Sequence, residues 1–136
     1  MRSGPRSHCP ISYLLDLFGD SWSLLLMRDL ILNGKRRYKD LLESEEGIAT
    51  NILADRLSRL EKQGIVTKRR DPGNKRQYLY APTAKGLDLI PLMLEMIQWS
   101  ASHDPDTTAS RGFLRRLKAD REGLIAEIRE RAEPAQ

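Results

Sequence analysis

Residues 47–84 read GIATNILADRLSRLEKQGIVTKRRDPGNKRQYLYAPTA, and the change of period inside this stretch decides the fold. Ile52, Leu53, Leu57 and Leu60 recur at helical spacing and make one apolar stripe, while Thr50, Asn51, Asp55, Ser58 and Lys62 lie largely opposite it. Gly64 stands where a helix of this length needs a residue free to adopt positive φ. Beyond it Ile65, Val66 and Thr67 run into Lys68, Arg69 and Arg70, Asp71 to Asn74 make a turn, and the chain returns through Gln77 to Ala81. The pattern predicts a helix followed by a two-stranded hairpin with a basic tip.

Outward from this stretch the chain is helical. Ile11, Leu14, Leu15 and Phe18 predict a first helix stopped by Gly19, and Asp20 or Ser21 is placed to cap a second. Trp22 to Leu32 is apolar on nearly every side, as suits a helix in the middle of a small domain, and Asn33 with Gly34 ends it. Tyr38, Leu41 and Leu42 mark a brief third helix, and Glu43 to Gly47 reads as a turn. Downstream, Thr83 caps a long helix carrying Leu87, Ile90, Met93, Leu94, Met96 and Ile97, which Pro91 should kink or restart. His103 to Ser110 reads as a linker, and a single last helix is expected from Arg111 to about Ala132, with Leu114, Leu117, Leu124, Ile125 and Ile128 on one side.

A chain of 136 residues fits one compact domain with its own core. The net charge of +4 is modest, so its distribution matters more than its sum. Arg56, Arg59, Lys62, Lys68, Arg69, Arg70, Lys75 and Arg76 face only Glu61 and Asp71 in their stretch, and Lys35, Arg36, Arg37 and Lys39 form a second knot. Such clusters are the electrostatic footprint of polyphosphate binding, with a solvated basic face as the plain alternative. The single Cys9 excludes an intrachain disulfide framework and a cysteine-based zinc finger, and two distant histidines make no metal cluster. No nucleotide-cradling glycine loop or placed carboxylate pair is present, so neither an enzyme nor a cofactor or metal site is expected. The N-terminus lacks an apolar signal core and no apolar run is long enough to span a bilayer, which predicts a soluble, cytoplasmic chain.

Short helices followed by a basic hairpin are the order of a winged helix-turn-helix, a mainly α fold with a small β-hairpin (α+β). In that fold the helix beginning at Ala49, Thr50 and Asn51 enters the major groove, where small polar side chains approach base edges closely. Asp55, Arg56 and Arg59 lie further along the same helix, and phosphate contact or guanine readout is expected of the two arginines. Lys75 and Arg76 at the hairpin tip are placed to touch the backbone or minor groove, and Arg36, Arg37 and Tyr38 lie just before or at the third helix, beside the phosphates.

Several segments together resemble the HxlR-type regulators, relatives of the MarR group: Cys9-Pro10-Ile11, the Gly19 to Trp22 turn, Arg36 to Leu41, Gly47 to Leu53, Arg56-Leu57, Leu60-Glu61, Gly64 to Val66, and YLYAPTA with Gly86. The resemblance covers roughly Cys9 to Ser100. It implies a homodimer on a palindromic DNA operator, usually a repressor and sometimes an activator, joined through the N-terminal helix and the long helix after the hairpin. On that basis residues 1–103 make the DNA-binding domain with its dimerisation helices, and 104–136 a linker and an accessory C-terminal helix. Ala49 departs from the pattern, standing where many relatives have a capping serine, a change worth about 1 kcal/mol. Some regulators resembling this N-terminus sense oxidants, quinones or aldehydes through a cysteine at the place of Cys9, so a small-molecule or redox effector is a further expectation. A cysteine just ahead of a helix is also poised for thiolate formation, although a small residue packed near the dimer seam is the simpler reading. A winged helix used for protein or RNA contact is the alternative function.

Overall fold

The computed structural model describes residues 4–134. Its elements in chain order are α1 (Pro10–Phe18), α2 (Ser23–Ile31), α3 (Tyr38–Leu42), α4 (Thr50–Lys62), β1 (Val66–Asp71), β2 (Asn74–Pro82), α5 (Ala84–Leu87), α6 (Ile90–His103), α7 (Arg111–Ala119) and α8 (Arg121–Ala132). The architecture is the mainly α winged helix-turn-helix that the period change predicts.

Local chemistry sets most of these boundaries. The Asp20 carboxylate accepts from the backbone N–H of Trp22 and Ser23 at 3.0 and 3.1 Å, satisfying donors at the start of α2. At the end of α4, Gly64 takes φ +74°, and the amides of Gly64 and Ile65 donate to the carbonyls of Glu61 and Leu60. This is the paired closure that a C′ glycine permits, and it aims the chain directly into β1. Thr83 caps α5 by accepting from the Gly86 amide, and Pro91 near the start of α6 restarts the helix.

The hairpin is antiparallel, pairing Val66 with Pro82 through Arg70 with Tyr78 before the register shifts at Asp71. The segment ahead of α3 lies along it, with Arg37 bridged to Leu79 and the Tyr80 amide donating to the Arg36 carbonyl at 2.7 Å. α2 runs through the middle of the core. Its Leu26, Met27 and Leu30 are buried together with Leu41, Leu53, Leu57, Leu94 and Ile128. A Cβ on Gly86 would lie 2.4 Å from the Ile65 carbonyl oxygen, so only glycine lets α5 approach the start of β1 this closely.

The C-terminal region differs from the expected single helix. The chain breaks at Asp120 (φ −147°, ψ 65°), whose carboxylate accepts from the Gly123 amide and starts α8 afresh. α8 packs against α2 and α6, and Leu117, Leu124, Ile128 and Ala132 join the one core cluster. Of the two roles open to the C-terminal segment, an added dimer element or packing within this chain, the contacts of α8 with α2 and α6 are of the second kind.

Candidate nucleic-acid interface

α3 and α4 are set at their elbow by Tyr38, whose hydroxyl donates to the Thr50 carbonyl at 2.7 Å. That bond fixes the first turn of α4, where Ala49, Thr50 and Asn51 are all exposed. Ala49 occupies the N-cap position without a side-chain cap, so the first amides of α4 stay open to an external acceptor such as a phosphate oxygen. The buried face of the helix is Leu53, Leu57 and Leu60.

Four basic residues expected at this surface divide by what already holds them. Arg59 is the freest, 61% exposed, with an i,i+4 ion pair to Asp55 at 3.1 Å that also engages Asp55 on the same face. Arg56 is only 16% exposed and pairs with Asp20 at 2.8 Å and with Asp55. Its guanidinium is a strut from α4 to the turn before α2, already held by two carboxylates where contact with base or phosphate was expected. Arg36 is turned inward: it donates to the carbonyls of Leu30 (2.5 Å), Lys35 (2.9 Å) and Ala132 (2.9 Å), which ties the ends of α2 and α8 together. Burial pushes its pKa down, and the guanidinium expected beside phosphate is instead committed to carbonyls within the fold. Arg37 is half exposed and pairs with the buried Asp71 at 3.2 Å, bracing the hairpin turn while leaving one side of the guanidinium to solvent. The Asp71 carboxyl is held below its ordinary range by the Gly73 amide and by Arg37.

At the hairpin tip Lys75 and Arg76 are exposed, and the Arg76 amide is fixed by the Asn74 side chain. Sequence reasoning counted Lys68 and Arg70 in the basic stretch but assigned them no contact. The structure adds Lys68 and Arg70, whose cationic groups sit 4.2 and 5.1 Å from the centre of the Tyr78 ring, forming a stacked basic edge behind the tip. The signal was available: Lys68 and Arg70 are two apart on one strand, hence on one face, with an aromatic residue across from them.

Cys9 is exposed at the N-cap of α1, and the amides of Ser12 and Ile11 lower its thiol pKa. α1 also carries Ile11 (72% exposed) and Leu15 (50%), and α6 carries Met96 and Trp99 (68%), an unusual quantity of large apolar surface left to solvent. No group of three or more His, Cys, Asp or Glu side chains suited to a metal occurs among the described residues.

Residues 17–108, which hold this helix-turn-helix elbow and the basic hairpin, match the HxlR-like helix-turn-helix family. The chain belongs to the HxlR-like family. Among its relatives, the HTH-type transcriptional regulator sll1512 of Synechocystis sp. is 35% identical over 88 residues, 65% of this chain and 64% of that protein, so the chain spans less than two thirds of that relative's length. The HTH-type transcriptional regulator YodB of Bacillus subtilis is 30% identical over 93 residues, covering 68% of this chain and 82% of YodB. In structure, PA1607 superposes with a TM-score of 0.70 at 33% identity over 78% of this chain and 74% of that one. Reduced YodB superposes with a TM-score of 0.59 at 27% identity over 74% of this chain and 99% of its own. The relatives are transcription regulators rather than enzymes. The HxlR-like match begins beyond Cys9 and ends short of α7, so the cysteine and the two C-terminal helices lie outside it.

Proposed function

We propose that this HxlR-like chain is a sequence-specific, double-stranded DNA-binding transcription regulator that acts as a homodimer on an inverted-repeat operator, as a repressor. The observation that carries the reading is the first turn of α4: Thr50 and Asn51 are exposed on a helix end pinned by Tyr38, with the basic hairpin beside it. Asn51 offers the paired donor and acceptor that read an adenine edge, and Thr50 suits a thymine methyl or a phosphate. Arg37, Arg59, Lys75 and Arg76 supply sequence-independent phosphate contact. The exposed apolar residues of α1 and α6 support pairing of two copies, which sets two α4 helices into successive major grooves about one helical turn apart. Such a protein works in the cytoplasm, where its DNA is.

Cys9 supports a thiol-reactive effector within the same reading. Its lowered thiol pKa favours the nucleophilic thiolate, and structures of YodB are described in reduced, diamide-treated and quinone-bound forms.

The test is a titration of the purified protein against duplex from the DNA flanking its own gene at two salt concentrations, beside Asn51→Ala and the Lys75→Ala, Arg76→Ala pair. Selective binding that Asn51→Ala relaxes and that the pair weakens on all sequences alike is the expected result. Weak binding that is equal for operator and scrambled duplex would instead point to a protein- or RNA-contact module.

A further inference from the structure

Between α2, α6 and the chain leading into α7 lies a cavity of about 530 Å³. This falls within the range of about 300–1,000 Å³ that holds small molecules in proteins. Its apolar wall includes Leu24 from α2, Met93 and Ile97 from α6, and Phe113 from α7. The lining is aliphatic and flexible, apart from that single ring, which suits a branched or straight alkyl body better than a stacked aromatic one. Its polar lining residues are Arg28, Ser100, Thr107, Thr108 and Ser110, all of which carry donors, and no carboxylate is among its described lining residues. Thr107 and Ser110 use their oxygens to accept from the amides of Ala109 and Phe113, which leaves their O–H groups to donate elsewhere.

Arg28 links this cavity to the helix-turn-helix. Its two terminal nitrogens grip the Glu46 carboxylate at 2.7 and 2.9 Å, while Nε donates to the buried Asp29 at 3.1 Å. Glu46 is exposed and stands directly ahead of Gly47 to Ala49, the lead into α4, so Arg28 joins that segment to the cavity it lines. A planar fork that already holds one carboxylate in this geometry accepts another that arrives from the cavity side.

We propose that the cavity binds an apolar aliphatic monocarboxylate, whose alkyl body fills the space between α2, α6 and Phe113 and whose carboxylate replaces Glu46 on Arg28. Asp29 keeps its own bond to Arg28, so the exchange is one carboxylate for another and the local charge balance of the guanidinium is preserved. Release of Glu46 frees the segment ahead of α4, and binding of the acid and ordering of that segment oppose each other. Ala109, Ser110 and Phe113 lie beyond the end of the HxlR-like match, so part of the wall is this chain's own addition. The binding event is independent of the proposed DNA function; only its effect on an operator rests on that reading.

The test uses the full chain labelled with nitrogen-15 throughout and with carbon-13 at the methionine methyls, titrated with octanoate and, as comparators, 1-octanol and octylammonium. The Met93 and Met96 methyls are expected to shift saturably with octanoate while that of Met27, fully buried elsewhere in the core, stays in place. Octanoate should bind about tenfold more tightly than octylammonium, and it alone should move the backbone amides of Glu46 to Ala49. Glu46→Gln, which removes the competing charge, should tighten octanoate severalfold, and Arg28→Gln should erase the preference for octanoate over octanol while the methionine shifts with octanol persist. Absence of a saturable shift at Met93 and Met96, equal affinity for the three head groups, or octanoate affinity indifferent to Glu46→Gln would overturn the proposal, and none of these readouts involves DNA.

Discussion

Asp20→Asn isolates the charge that ties α4 to the turn before α2. In the wild type burial pushes the Asp20 carboxyl up, but hydrogen bonds from Ser23 and Arg56 and from the amides of Trp22 and Ser23 outweigh it and lower it from 3.8 to about 2. At about 1.36 kcal/mol per pH unit, that lowering corresponds to about 2.4 kcal/mol before screening. The carboxylate is 24% exposed and solvent screens it, so roughly half, about 1 kcal/mol, is the expected net contribution. The unfolded chain protonates this group near 3.8 while the folded chain keeps it charged to about 2. The stabilisation is therefore complete above about pH 4 and is lost as pH falls toward about 2. Asparagine keeps an acceptor oxygen for the α2 amides, so the substitution removes charge with little loss of capping. Urea and thermal unfolding of both proteins should show Asp20→Asn less stable by about 1 kcal/mol at neutral pH, a Tm lower by about 3–5 °C. The two curves should converge in acid. A deficit as large at pH 2.5 as at pH 7 (about 1 kcal/mol at both), or no deficit at either, refutes the assignment of that energy to the charge on Asp20 and the donors that hold it.

Gly86→Ala places a methyl 2.4 Å from the Ile65 carbonyl oxygen, a backbone atom that cannot swing aside, and a loss of about 2–4 kcal/mol in urea unfolding is expected. Arg36→Met leaves the carbonyls of Leu30 and Ala132 without their shared donor and should cost about 1–3 kcal/mol, while the salt dependence of DNA binding stays unchanged. Lys75→Ala with Arg76→Ala should do the reverse, leaving stability within about 0.5 kcal/mol and lowering the slope of log K against log salt by about 1 for each phosphate no longer neutralised. Trp99→Glu puts a charge on the large apolar face of α6, and sedimentation at one concentration should find the wild type dimeric, as proposed, and the variant monomeric.

What the sequence makes legible here is whatever depends on neighbours within a few residues. The stripe of Leu53, Leu57 and Leu60, the closure at Gly64 and the restart at Pro91 are local events, and each lies where spacing and backbone preference place it. The break at Asp120 escaped for a different reason. Leu117 and Leu124 are seven residues apart, close to two full turns, so a periodic reading runs through an interruption without losing phase. The signal that marks it is chemical rather than periodic: an aspartate followed three residues later by a glycine whose amide it caps. The arginines show the deeper limit. Arg36 and Arg37 are adjacent and alike in sequence, but in an extended segment neighbouring side chains point to opposite sides, so one faces the α8 carbonyl at Ala132 and the other the hairpin turn at Asp71. Arg56 stands three residues after Leu53 and four before Leu60, which puts it on the flank of the buried stripe rather than opposite it, and that arithmetic alone argues for an inward-leaning partner. What it could not provide is the partner's identity, since Asp20 lies in another turn of the fold. A basic cluster read from sequence therefore contains two populations, structural guanidiniums that have found an acceptor within the fold and surface ones still open to phosphate, and only the packing of distant segments separates them.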